Sequence, residues 1–305
     1  MDYGALIKRA WEITKKYKFL WIFGILVGGA PSIQIPITNF QYTVKDEGEL
    51  EKVLTPEVLE SLKTFFVNNL NLILALAFVL FLIILILFIL SIIFRGALIG
   101  TVGEIEKGQE VNFKKGFQVG SHHFWRILGL SILLFLLILL SLVILATPVA
   151  LLASFKIYVL AIILGILFLL LYLIWTIFLN LSFQYALRFL IIGDFGIIQS
   201  IKQGFSLFRK FWKEILLVWL ITLGLSIGLG IFAVIVVFVA LIPLGLLGFV
   251  IYTLSQLGLW IYGTLAILAL VIGISILSGA ISTFLSSIWT LAYLELTAPN
   301  LSTRL

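Results

Sequence analysis

The stretch LILALAFVLFLIILILFIL, residues 72–90, decides the fold. It holds no charged and no strongly polar side chain. As a helix rising about 1.5 Å per residue it is about 28 Å long, which matches the hydrocarbon core of a bilayer. Such a run spans a membrane. The rest of the chain carries the same bias: 62% of residues are hydrophobic and 11% are charged, against roughly 25% charged in soluble domains. There is too little polar surface to cover a globule, so lipid must serve as solvent.

Working outward, six spans are predicted: Phe19–Ile37, with Pro31 near its outer end; Leu70–Phe94; Ile127–Leu152, with Pro148 near its outer end; Tyr158–Phe183; Ile215–Ile242, stopping before Pro243; and Leu259–Trp289. The first is short. The N-terminus resembles a secretory leader, with small residues at Gly28-Gly29-Ala30. The long amphipathic segment before the apolar run, with Glu12 in it, argues that the span is retained. Residues 243–258 are apolar but rich in glycine and read as a re-entrant turn or an interfacial helix.

Charge orients the bundle. Lys and Arg fall sixteen to four on the two sides of the spans. The basic side holds residues 1–18, 95–126 and 184–214 and the tail; the sparse side has Lys45, Lys52, Lys63 and Lys156. The basic side is therefore expected to be cytoplasmic, with both termini there, in a multi-pass cell-membrane protein. The net charge of +6 then points to anionic lipid headgroups rather than nucleic acid. No Asp, Glu, Lys, Arg or His falls inside the six spans, which counts against proton- or ion-coupled transport.

A basic amphipathic segment precedes each odd-numbered span. In the first, Tyr3, Leu6, Ile7, Ala10, Ile13 and Tyr17 form one stripe opposite Lys8, Arg9, Glu12, Lys15 and Lys16. In the second, Phe113, Phe117, Gly120 and Phe124 oppose Lys114, Lys115, Gln118, Ser121 and His122. In the third, Ile197, Ile198, Ile201, Phe205, Phe208 and Trp212 oppose Lys202, Arg209, Lys210 and Lys213. Gly116-Phe117 leads to Phe124-Trp125-Arg126, and Gly204-Phe205 leads to Phe211-Trp212-Lys213; Ala10-Trp11 leading to Phe19-Leu20-Trp21 is a weaker copy. The chain thus reads as an all-α bundle of three repeats, about 1–95, 96–188 and 189–295, each an interfacial helix followed by a transmembrane hairpin. Trp11, Lys15, Trp21, Phe124, Trp125, Arg126, Arg209, Lys210, Trp212 and Lys213 are the candidate lipid-headgroup or interface residues. Their apolar parts suit the acyl boundary and their cations suit an anionic leaflet.

Catalytic chemistry is hard to find. The absence of cysteine removes thiolate ligands and nucleophiles. His122 and His123 are neighbours, pointing about 100° apart on a helix, whereas helical metal pairs sit at i, i+4. Glu104, Glu106 and Glu110 lie near them without a ligand motif. Gly103 to Gly108 has the spacing of a phosphate loop, but Gln109-Glu110 follows where Lys and Ser/Thr are required; residues 100–108 read instead as a turn. The acids Asp46, Glu47, Glu49, Glu51, Glu57 and Glu60 read as a solvated face, with Thr55-Pro56-Glu57 as a helix start. Small residues recur at fourfold spacing, at Gly24/Gly28, Gly96/Gly100, Gly224/Gly228 and Ser275/Gly279/Ser282/Ser286. They are read as close packing within the chain, and a polar seam through Thr222, Ser226, Asn180 and the last-span serines is the alternative.

Gly-Phe followed by Phe-Trp-Arg/Lys and a long apolar hairpin, as at Gly116-Phe117/Phe124-Trp125 and Gly204-Phe205/Phe211-Trp212, resembles a loose group of prokaryotic membrane proteins. That group includes the membrane domain attached to some glycerophosphoryl diester phosphodiesterases, whose hydrolysis belongs to a separate soluble barrel. The resemblance implies a membrane module without catalytic residues and with a link to lipid. The expectation is a non-enzymatic membrane protein that binds lipid or a partner, needing no cofactor; the alternative is a channel or transporter for a neutral or lipidic substrate. A protein partner or homo-oligomer stays open.

Overall fold

A computed structural model describes residues 1–29 and 56–301. They form helices, with no strand among the described residues. In chain order these are α1 (Tyr3–Lys16), α2 (Leu20–Gly29), α3 (Pro56–Asn68), α4 (Leu70–Glu106), α5 (Phe113–His122), α6 (Phe124–Ser154), α7 (Tyr158–Ile191), α8 (Ile197–Lys210), α9 (Trp212–Leu254) and α10 (Gln256–Leu301). Two compact units result: Met1–Gly29 with Ile92–Leu305, and Ala30–Ser91. In the latter, α3 begins at Pro56, as a proline at the first helical position should. The neighbouring Thr55, the acids 46–51 and the outer part of the first span lie outside the described residues.

Among the described residues, five helices are long and apolar enough to cross a membrane: Leu70–Glu106, Phe124–Ser154, Tyr158–Ile191, Trp212–Thr253 and Trp260–Ala298. The protein is a multi-pass helical membrane protein. The described part of the first expected span is α2, only 10 residues long.

The helices outrun the bilayer. At about 1.5 Å per residue the 46 residues of α10 make a rod of about 69 Å, against a hydrocarbon core of about 30 Å. The surplus lies at the basic ends, and there the helices pack. Ile92, Ile99, Ile127, Leu130, Ala186, Leu187, Leu190 and Ile191 form one buried cluster, joining the end of α4, the start of α6 and the end of α7. The short helices fold back on these ends. Gly120 of α5 lies so close to α4 that a Cβ there would run into the Ile93 carbonyl oxygen. On Gly204 of α8 a Cβ would likewise stand 2.6 Å from the Ser182 carbonyl oxygen of α7. α1 lies along α10, with Trp11 edge-on to Phe284 at 5.7 Å. Thr283 of α10 donates to the Leu20 carbonyl at 3.0 Å, where Gly24 and Gly279 bring α2 and α10 together.

Several boundaries differ from expectation. Pro243 does not end the fifth span; α9 runs through it to Leu254. Proline removes one donor, whereas unwinding in lipid would orphan several polar groups. Across the turn, the Tyr262 hydroxyl donates to the Leu244 carbonyl at 2.6 Å. Residues 243–258 therefore do not break at Pro243: the helix continues to Leu254, and Ser255, in extended backbone, makes the turn between α9 and α10. Gly100 and Gly103, read as part of a turn, lie inside α4. Only Gly108 turns the chain, at φ +72°. The second and fourth spans likewise continue past Phe94 and Phe183, to Glu106 and Ile191.

Candidate functional site

At the basic ends are three elbows: His123 and Phe211 each connect a short helix to a long one, and residues 17–19 connect α1 to the ten-residue α2. α1 is capped by Asp2, whose carboxylate accepts from the N–H groups of Gly4 and Ala5 at 2.9 and 3.1 Å. Asn112 caps α5 by accepting from Lys115 N–H at 2.8 Å.

The candidate interface residues divide among these elbows. Trp11 is exposed beside Lys15, which is also exposed; Arg9, Glu12, Lys16 and Tyr17 complete a shallow surface groove there. Trp21 is half-buried, and its indole N–H donates to the Thr14 carbonyl at 2.9 Å, so it braces the first elbow from within. At the second elbow Trp125 is 77% exposed, while Phe124 is half-buried with its ring edge-on to Trp125 at 5.1 Å. At the third, Arg209, Lys210, Trp212 and Lys213 are all exposed. Lys210 Nζ lies 5.1 Å from the Phe211 ring centre and Lys213 Nζ 5.6 Å from that of Trp212.

Arg126 is exposed and paired through Nη1. It donates to Asp194 at 2.5 Å, and Asp194 sits in the left-handed region, φ +52°, in the turn between α7 and α8. The Arg126 guanidinium holds the Asp194 carboxyl below its usual range. His123, buried, places Nδ1 2.9 Å from the Val119 carbonyl oxygen. A carbonyl only accepts, so Nδ1 carries hydrogen; Nε2 then faces Asp194 at 3.6 Å. Two of the three acids near the histidines in sequence are also engaged. Glu106 accepts from Arg9 at 2.8 Å, and Glu104 lies 3.6 Å from Lys115. Among the described residues no three His, Asp or Glu side chains converge as a metal site.

The sequence reading missed Arg188. It was counted with the basic flank, yet it lies within α7 and is 1% exposed. Its Nη1 donates to the Gln184 carbonyl and to Gln184 Oε1 (3.1 Å), and its Nη2 donates to the Ser286 carbonyl of α10 at 3.4 Å. Nε has no partner among the described residues, nor does the buried Tyr185 hydroxyl one turn back. No described carboxylate pairs with it. A buried guanidinium without a counter-charge is costly, and three carbonyl oxygens are what hold it. The signal was available: Ala186-Leu187 precede it and Phe189-Leu190-Ile191-Ile192 follow, an apolar setting for a cation.

The small-residue pairs also divide. Gly24 faces Gly279, Gly96 faces Gly120 and Ile127, and Gly100 faces Val119. Gly224 and Gly228 have open space where a Cβ would be. Four residues of the expected polar seam are engaged locally. Ser226, Ser275, Thr222 and Asn180 each bond to a carbonyl of their own helix.

A family model described as a family of unknown function (DUF7544) matches residues 15–304, and the chain belongs to that family. No curated protein and no solved structure matches the chain.

Proposed function

We propose that the protein is a non-enzymatic lipid-binding module of the cell membrane, with six spans, both termini cytoplasmic, and three repeats at about 1–95, 96–188 and 189–295. The observation that carries the reading is the repeated elbow. Exposed tryptophan stands beside lysine at Trp11/Lys15 and at Trp212/Lys213, and Trp125 is exposed at the second elbow. An indole and an ammonium side by side suit the level where acyl chains meet headgroups, and each cation near an anionic leaflet is worth about 1 kcal/mol. The fold-back of α5 on α4, α8 on α7 and α1 on α10 supports the repeat, with the last helix taking the role for the first unit that α4 and α7 take for the others. The likeness to phosphodiesterase-linked membrane domains belongs to the same proposal.

The test is native mass spectrometry of the protein taken from vesicles of equal phosphatidylglycerol and phosphatidylcholine. Preferential retention of phosphatidylglycerol is expected, reduced when Lys210 and Lys213 are changed to Gln. Equal retention of both lipids overturns the reading.

A further inference from the structure

An open apolar groove runs beside the third elbow. Leu145 of α6 and Leu171, Ile174 and Trp175 of α7 wall it, and Phe208 and Trp212 close it where α8 turns into α9. Its lining is almost wholly apolar; Ser141 is its one hydroxyl, and that donates to the Ile138 carbonyl of its own helix at 2.8 Å. Along α7 the groove extends over the eight residues from Leu171 to Phe178, about 10 Å of helix rise, the reach of roughly eight methylenes.

Two features separate this groove from an ordinary lipid-facing surface. Its end at the elbow is aromatic and held: Phe178 packs on Phe208 at 4.9 Å and on Phe205 at 5.3 Å, while Gly204 locks α8 against α7. That elbow, the headgroup-side mouth of the groove, is also cationic: Lys213 stands over the Trp212 ring that lines it, with Lys210 and Arg209 exposed on the adjoining turn and one acid, Glu214, half-buried among them. The three cations outnumber the single carboxylate.

We infer that this groove holds one acyl chain of an anionic phospholipid, with the phosphate at Lys210 and Lys213 and the chain lying between α7 and the start of α9. The inference rests on the lipid-binding reading and gives it a place. The chain's apolar surface gains little by moving from bulk lipid into the groove, because both are apolar. Retention comes instead from the fixed aromatic end and the charge pairing at the mouth, and a neutral lipid gains only the first.

The experiment uses the full-length protein, stripped of lipid and offered phosphatidylglycerol, with retained lipids counted by native mass spectrometry. Leu171→Trp with Leu145→Trp fills the groove; Ile267→Trp with Val271→Trp places the same bulk on an exposed stretch of α10 and is the control. The groove variant is expected to lose the tightest one-lipid adduct roughly tenfold, the ratio for about 1.4 kcal/mol, and the control to keep it. As a second readout that needs no variant, phosphatidylglycerol with a diazirine in its acyl chain should crosslink within 171–178 and 208–216. An unchanged adduct in the groove variant, or crosslinks spread evenly over the apolar helices, overturns the groove. If phosphatidylglycerol is still preferred over phosphatidylcholine in that case, the lipid-binding reading survives; if that preference is also absent, both fall.

Discussion

Leu130 and Leu140 lie ten residues apart on α6 and live in different solvents: Leu130 is fully buried, whereas Leu140 is 57% exposed. The same division runs through α7, where Leu179–Ile191 is largely buried and Ile162–Leu173 largely is not, and through α10, where Thr283–Thr297 is packed and Leu265–Ile276 is not. Both halves are apolar, so composition does not explain the difference. The neighbours do. Where helices lie among acyl chains, burial against another helix gains little, because lipid is as apolar as leucine. Toward the basic ends the short helices fold back on the long ones and glycines let the backbones close, so those halves are packed. The elbows, ion pairs and buried Arg188 all belong to the packed ends.

The sharpest way to break this contrast is at glycine. Gly120→Val drives a side chain into the Ile93 carbonyl and should cost more than about 4 kcal/mol, enough to abolish a monodisperse folded peak on size exclusion. Gly224→Val, in open space, should leave that peak unchanged. Next in size is the leucine pair. Leu130→Ala should lower stability by about 2–4 kcal/mol in thermal unfolding, as a core cavity does, and Leu140→Ala by less than about 0.5 kcal/mol. Equal losses would erase the distinction between the two ends.

Arg188→Met should cost about 1–3 kcal/mol, because it removes the buried hydrogen bonds to the Gln184 and Ser286 carbonyls and leaves Gln184 Oε1 without its donor. A stabilised variant would mean that the unpaired charge outweighs its hydrogen bonds. The smallest effect is at the α7–α8 turn. Asp194 titrates below its ordinary value of 3.8 because Arg126 binds it, so its contribution is present above that value and lost as pH falls through the folded value. Between about pH 5 and 3 the native protein should lose more stability than Asp194→Asn does. The difference should stay within about 1 kcal/mol, since Asp194 is largely exposed.

The sequence made the spans legible through length and hydropathy, and the elbows through Phe-Trp-Arg/Lys and the stripes around them. It did not show where the helices end. Glu104 and Glu106 read as a break because a transmembrane segment stops at charge; α4 continues because, beyond the bilayer, Glu106 pairs with Arg9 and Gly96 and Gly100 let α5 approach. Arg188 was hidden for the same reason. Counting cations by side treats each as solvated, and only its apolar neighbours distinguish it from Lys202 or Lys210. Pro243 read as a stop because in water it usually is one; in lipid the backbone has no alternative partner.

The most direct measurement uses the lack of cysteine in this chain. Single cysteines at Gln109, in the turn between α4 and α5, and at Ser255, at the tip of the α9–α10 hairpin, would be treated with a membrane-impermeant maleimide in intact cells. The account predicts labelling of residue 255 at once and of residue 109 only after the cells are opened. Labelling of both in intact cells, or of residue 109 alone, would contradict an account that puts the α4–α5 turn inside and the α9–α10 turn outside.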